Sequence, residues 1–258
     1  GQMFGELDMI TTDASACASS LKVLMDVQNL IRHYDFERVI VLTVEDSITN
    51  TVLEFFGESK AVLTAQQENE GIKPSAFDNK NFGFRIGQGA ALAVFESERS
   101  IERLGVSPKA MMLGSYSASE ASTNAIGQLE DGSGYVKAMH GAMLQAKIVQ
   151  SDIGIVKSHG TGTISNNNAE KNALTKNLTN FVATSYKQKI GHTMGSSGLL
   201  ETLLLLDDIK KGIIPAIENR TENDPVFLSE DVEVPKGLIL SLAAGMGNIY
   251  SAAIFKGM

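Results

Sequence analysis

The sequence has a single cysteine, Cys17, so it can hold neither an internal disulfide nor a zinc site built on several cysteines. No apolar run is long enough to cross a bilayer, and the first residues lack the basic, apolar and small-residue succession of a signal peptide. A cytoplasmic protein with no membrane attachment is the expectation. Positive charge is also scarce: 22 Lys+Arg stand against 30 Asp+Glu, a net charge of −8, which excludes a generally basic surface for nucleic acid or anionic lipid. Tandem repeats and low-complexity tracts are missing as well. What is present is a globular composition, 43% hydrophobic and 20% charged over 258 residues, with apolar material for one large core or two smaller ones.

The apolar residues fall into alternating helix and strand patterns. Leu21, Leu24, Val27, Leu30 and Ile31 sit at helical spacing within residues 16–32, placing Cys17 in the first turn of an amphipathic helix. Residues 38–44 and 90–95 are short apolar runs expected as interior strands of a covered sheet. Residues 71–84, polar and broken by Pro74 and Gly83, predict a loop. Further along, helices are expected over 97–104, 134–149, 168–178 and 197–211, and strands over 109–118, 153–157, 181–185, 237–242 and 250–255. This alternation predicts an α/β layered architecture. The pattern of the first part returns in the second, with the change near Gly105 to Pro108, so two units are expected, residues 1–105 and 106–258.

Three segments carry groups fit for chemistry. Cys17 lies in Ser15-Ala-Cys-Ala-Ser-Ser20, small residues at an expected helix start, where free backbone N–H groups and the helix dipole favour a thiolate. His159 opens the His-Gly-Thr-Gly-Thr loop, with Thr161 and Thr163, directly after an expected strand, the end at which α/β sheets bind ligands. His192 stands in a second glycine-rich turn, Lys187-Gln-Lys-Ile-Gly-His192-Thr-Met-Gly-Ser-Ser-Gly198, again between a strand and a helix. The other two histidines, His33 and His140, have no glycine context and read as ordinary surface or packing residues.

Together, in this order and spacing, the three segments resemble the motifs of the β-ketoacyl synthase family. Gly83-Phe-Arg-Ile-Gly-Gln-Gly89 and the closing Ser241-Leu-Ala-Ala-Gly-Met-Gly-Asn248 resemble two further glycine-rich turns of that family, so the likeness runs along the whole chain. The resemblance implies a thiolase-like fold layered α-β-α-β-α. It also implies a decarboxylative condensation, in which Cys17 accepts an acyl group from a carrier-protein thioester and His159 and His192 act on a malonyl thioester. The backbone N–H groups of Cys17 and Met246 would form the oxyanion hole. Lys187 would join the catalytic set, and Glu201 would pair with it in support, beside Thr161 and Thr163. No metal or other cofactor is implied. The partners implied are an acyl carrier protein and a second subunit, in a homodimer or heterodimer, with Met9 to Ser15 as the strand at the dimer contact.

Against the family pattern, Met246 stands for a gating phenylalanine, Asn248 for a glycine, and Asn167 and Gln88 for acids. The family's first half also begins well before its cysteine. The N-terminal half is therefore expected to be incomplete here and completed by a separate N-terminal polypeptide or by a dimer partner. Two other functions fit the same residues: a synthase-like scaffold or partner subunit without condensing activity, and a thioester hydrolase using a Cys–His pair.

Overall fold

The computed structural model describes residue 5 and residues 7–58, 61–122 and 126–258. A 3-10 turn at Ala16–Ala18 runs into helix α1, Ser19–His33, and strand β1, Arg38–Glu45, follows. Two short helices come next, α2 at Asn50–Glu58 and α3 at Ala65–Asn69, then β2 at Gly89–Glu96 and α4 at Glu98–Leu104. The remainder is β3 (Ala110–Ser119), α5 (Ser133–Ala146), β4 (Ile153–Lys157), α6 (Ile164–Asn177), β5 (Val182–Thr184), α7 (Lys187–Ile190) and α8 (Ser197–Lys210). Strands β6 (Ile213–Ile214), β7 (Val232–Glu233), β8 (Leu238–Gly245) and β9 (Ile249–Gly257) close the chain.

The central sheet has the order β3-β9-β8-β4-β5. Its β3–β9 and β9–β8 pairs are antiparallel, and its β8–β4 and β4–β5 pairs are parallel. Every residue of β4 is buried, as a parallel strand covered on both faces requires. Successive side chains go to opposite faces. Val156, Leu240, Leu242 and Ile254 join Tyr135, Met139 and Leu174 of α5 and α6 in one core. Ile155, Ile239, Ala253 and Phe255 join Leu21, Leu24 and Val27 of α1 and Leu199 and Leu205 of α8 in the other. Each fully buried leucine here contributes about 2 kcal/mol of transfer free energy. Val41 and Ala91 close the second core from a separate antiparallel ribbon, β1 with β2, on the far side of α1 and α8.

That ribbon corrects one expectation. Its strands lie where the sequence puts them, but they are not interior strands: Leu42, Val44, Leu92 and Val94 are each 45–67% exposed on its outer face. An unbroken apolar run signals a strand without telling which of its alternating side chains is covered. Helix boundaries differ for local reasons. Helix α5 stops at Ala146 because Lys147 turns left-handed, with φ 56. Helix α6 starts at Ile164, four residues ahead of the expected start, because Thr163 caps it. Helices α2, α3 and α7 and the two-residue strands β6 and β7 were not foreseen. Residues 9–15 pair in no strand, and Met9 and Ile10 are exposed.

Candidate active site

Cys17, His159 and His192 line one pocket with Phe56, Phe84, Thr161, Thr163, Met246 and Asn248. The elements bring them there from three directions. Cys17 sits in the 3-10 turn ahead of α1, behind Ala16, whose φ of 48 is a left-handed conformation costly for alanine. Gly245 at the end of β8 packs so tightly on this turn that a Cβ there would lie 2.8 Å from the Ser15 carbonyl. That contact sets the following Met246 beside the thiol in the pocket wall. Met194 is the sulfur neighbour of Cys17, with Sγ and Sδ 3.9 Å apart.

The environment of Cys17 reverses one sequence expectation. Burial pushes its thiol up to about 11, Lys187 pulls it down and Glu45 pushes it up again. Desolvation therefore outweighs any favour from the short helical turn, and the thiol is protonated at rest.

His159 leaves the end of β4. Its backbone N–H and that of Gly160 donate to the two oxygens of Glu170 at 2.5 and 2.8 Å, so a buried carboxylate on α6 clamps the turn. Its ring Nδ1 is buried with no hydrogen-bond partner among the described residues. Gly162, with φ 78, shows why this loop needs glycine: a Cβ there would stand 2.1 Å from the Ser75 carbonyl. Another loop, rather than a ligand, makes that demand. Thr161 and Thr163 have their hydroxyl oxygens 3.1 Å apart. Asn167, at the position where an acid was expected, accepts from the Phe77 N–H at 3.1 Å, so this link between loops is neutral. Gln88 is exposed, and Asn248 takes the left-handed φ of 63 that asparagine tolerates in place of glycine.

The His192 backbone is fastened on both sides. Its N–H donates to the Arg85 carbonyl at 2.7 Å, and its carbonyl accepts from Gly87 at 3.0 Å. The ring packs edge-on against Phe84, with centroids 5.0 Å apart, and against His159 at 5.6 Å. Burial, reinforced by Lys187 and Lys157, holds both imidazoles well below the usual histidine range. Below the ring, Ser197 Oγ lies 3.3 Å from His192 Nδ1 and donates to Glu201 Oε1 at 2.5 Å. Lys187 donates to both oxygens of this carboxylate, to Oε1 at 2.8 Å and to Oε2 at 3.1 Å. A second ammonium, from Lys157, donates to Oε2 at 3.2 Å. Burial would raise the Glu201 carboxyl, but the two lysines and Ser197 hold it below the usual range.

All the expected site residues except Glu201 and Lys187 line the pocket, and these two are linked to His192 through Ser197. Sequence reasoning missed Lys157, Glu170, Ser197 and Met194. For Lys157 a signal existed: a charge ending an otherwise apolar strand two residues before a motif histidine. Glu170 and Ser197 become visible only once helix phase is known.

Residues 9–100 match the β-ketoacyl synthase N-terminal domain, and residues 109–221 match the β-ketoacyl synthase C-terminal domain. The chain belongs to the β-ketoacyl synthase family. Among its relatives, the ketoacyl synthase alpha subunit of the tetracenomycin polyketide synthase of Streptomyces glaucescens is 28% identical, over 95% of this chain and 59% of that protein. The 3-oxoacyl-[acyl-carrier-protein] synthase 2 of Vibrio harveyi is 27% identical, over 80% of this chain and 50% of that protein. The fold is that of solved ketosynthases. A β-ketoacyl synthase from Burkholderia phymatum superposes with a TM-score of 0.85 at 25% identity, over 95% of this chain and 61% of that one. A type II polyketide ketosynthase, solved with its acyl-carrier protein and a hexaketide, gives 0.90 at 21% identity, over 97% of this chain and 63% of that one. This β-ketoacyl synthase chain thus spans about half to three fifths of the length of these relatives. Among the described residues, no helix is long and apolar enough to cross a membrane.

Proposed function

We propose that the protein is a carrier-protein-dependent condensing enzyme that works through an acyl-Cys17 intermediate. One observation carries this reading: two buried imidazoles, 5.6 Å apart and held neutral, share a pocket with the only thiol. A neutral imidazole can accept a proton at one nitrogen and donate from the other, which suits both halves of the reaction.

In acyl transfer, the Cys17 sulfur attacks the acyl thioester carbon. Ser197 donates its O–H to Glu201, so its oxygen accepts from Nδ1–H of His192 and Nε2 is left as a proton acceptor. Nε2 takes the Cys17 proton and returns it to the departing carrier thiol. The backbone N–H groups of Cys17 and Met246 meet the charge on the thioester oxygen. In condensation, the malonyl thioester carbonyl lies against the imidazoles. Loss of carbon dioxide leaves an enolate, stabilised by N–H donation from His159 and, once the Ser197 hydroxyl has turned from Glu201 to donate to Nδ1, from Nε2–H of His192. The enolate carbon attacks the acyl carbon, the Cys17 thiolate leaves, and a solvent proton restores the thiol.

By likeness to the solved ketosynthase with its acyl-carrier protein, and to the ishigamide ketosynthase with its chain length factor, a carrier protein delivers both thioesters and a second ketosynthase-like subunit pairs with this one. The division near residue 105 into two units belongs to the same reading.

Mass spectrometry after incubation with acyl-carrier-protein thioesters tests it. The chain should gain the acyl mass, and Cys17→Ala should not; adding malonyl carrier protein should then release a β-ketoacyl product. A folded chain that takes up no acyl group at any chain length would leave the scaffold reading in its place. Release of free acid without condensation would favour the hydrolase.

A further inference from the structure

The apolar wall around the thiol holds two thioethers that the condensation leaves unused. Met194 touches Cys17 sulfur to sulfur at 3.9 Å and is only 8% exposed. Met246 packs against the cluster of Cys17, Phe56, Phe84 and Met194, yet it lines the pocket and is only partly buried, so it is the more accessible of the two. The three sulfurs answer an oxidant differently. A thiol reacts through its thiolate, whereas a thioether has no proton to lose and reacts at a rate independent of pH. Burial pushes the Cys17 thiol up to about 11, Lys187 pulls it down, and Glu45 and Glu201 push it up. His159 and His192, both neutral, are the other titratable groups in the pocket. At pH 7 ionisation alone therefore slows Cys17 about ten-thousandfold against a full thiolate, and it does nothing to protect Met246.

Resting on the condensing reading, we propose that Met246 is an oxidation site, whose conversion to the sulfoxide by a hydroperoxide shuts off acyl transfer while the Cys17 thiol survives. The Met246 sulfur attacks one peroxide oxygen, the O–O bond breaks and an S=O bond forms. The second oxygen leaves as water when the oxidant is hydrogen peroxide, taking both hydrogens. Sulfur gives up two electrons and the peroxide gains them.

The product no longer suits its place. A sulfoxide oxygen is a hydrogen-bond acceptor, and in the apolar cluster that Met246 packs against, only Cys17 has a hydrogen to give, the weak S–H donor. To find a stronger donor the oxidised side chain turns out of the wall, toward the polar side of the pocket. The cavity there is about 260 Å³ and is lined by Cys17, His159 and His192, so the displaced side chain occupies the space that the thioester needs.

The test is peptide mass mapping of the full chain after dilute hydrogen peroxide, beside acyl uptake from acyl-carrier-protein thioesters. At pH 7 Met246 should gain one oxygen while Cys17 stays open to alkylation once the chain is denatured. The oxidised fraction should take up no acyl group until methionine sulfoxide reductase restores it. At pH 10 the order should reverse, with Cys17 oxidised first. Met246→Leu, which keeps the wall apolar, should retain acyl uptake through the same exposure. The exposed Met9 and Met258 are present in both chains and cannot account for the difference. Oxidation of Cys17 ahead of Met246 at pH 7, full acyl uptake by the Met246 sulfoxide, or a folded Met246→Leu chain inactivated as fast as the parent overturns the proposal. Should that variant not fold, the mapping and uptake of the parent decide alone. Failure of the condensing reading shows elsewhere, as an absent acyl adduct in the untreated parent, with the order of oxidation still read from the peptides.

Discussion

At the scale of single residues, the candidate site is governed by burial. A thiol pushed up to about 11 is ionised at neutral pH in only about one molecule in ten thousand. Alkylation of Cys17 by iodoacetamide should accordingly be far slower at pH 7 than that of a free cysteine and should climb steadily beyond pH 10. Lys187→Met, which removes the ammonium that pulls this thiol down, should slow it further. Alkylation at pH 7 as fast as that of an exposed cysteine would mean that the pocket is wetter than described. The histidines have the opposite signature. Their folded values lie below the unfolded one, so the unfolded chain binds more protons in between. The stability they contribute is complete above pH 6.5, near the unfolded value, and is lost as the pH falls below it. Glu170, which burial pushes up, acts in reverse, and its contribution is lost as the pH rises through its folded value. Comparing the urea midpoints of the parent and a His159→Gln/His192→Gln double variant isolates the first effect. The double variant should lose less stability between pH 6.5 and pH 5.

At the scale of elements, two devices hold the His159 loop on α6. Thr163 accepts from the Asn166 N–H at 3.4 Å, and Thr163→Ala should cost about 1 kcal/mol in thermal or urea unfolding. Glu170→Gln leaves one acceptor where two backbone N–H groups point. Its cost, about 1–3 kcal/mol, should come with a displaced His159 ring, visible in proton–nitrogen NMR of the chain with labelled histidine. These elements also show what the sequence could convey. Cys17, His159, His192, Lys187 and Glu201 were legible because glycine turns and a helix start mark them locally, and the structure does bring them together. Lys157 and Ser197 were not, because periodicity tells which elements exist but not which side chain on one meets which on the next. The α6 start was missed because Asn166 to Asn168 lack the apolar repeat that announces a helix, while the Thr163 cap supplies the signal instead.

At the scale of the molecule, helices α1 and α8 lie between the central sheet and the β1–β2 ribbon, whose outer face stays apolar. Leu42 stands opposite Leu92 across the ribbon, and Val44 and Val94 flank them, so this face is a contiguous sticky surface. Val44→Lys should lower light scattering and binding of a hydrophobic dye while leaving the unfolding midpoint within about 0.5 kcal/mol of the parent. An unchanged dye signal would show that this face is covered in solution.

The turn at residues 85–87 and the loop carrying His192 are zipped together main chain to main chain, and Gly87 and Gly191 meet so closely that a Cβ on Gly191 would stand 2.8 Å from the Gly87 Cα. The imidazole therefore behaves like a latch bolt that is extended only while two stretches about a hundred residues apart stay engaged. On warming, the pocket should fail as a single event. Loss of Cys17 acylation should precede loss of helical ellipticity, because a parting of one sheet-like seam disarms the site before any helix melts.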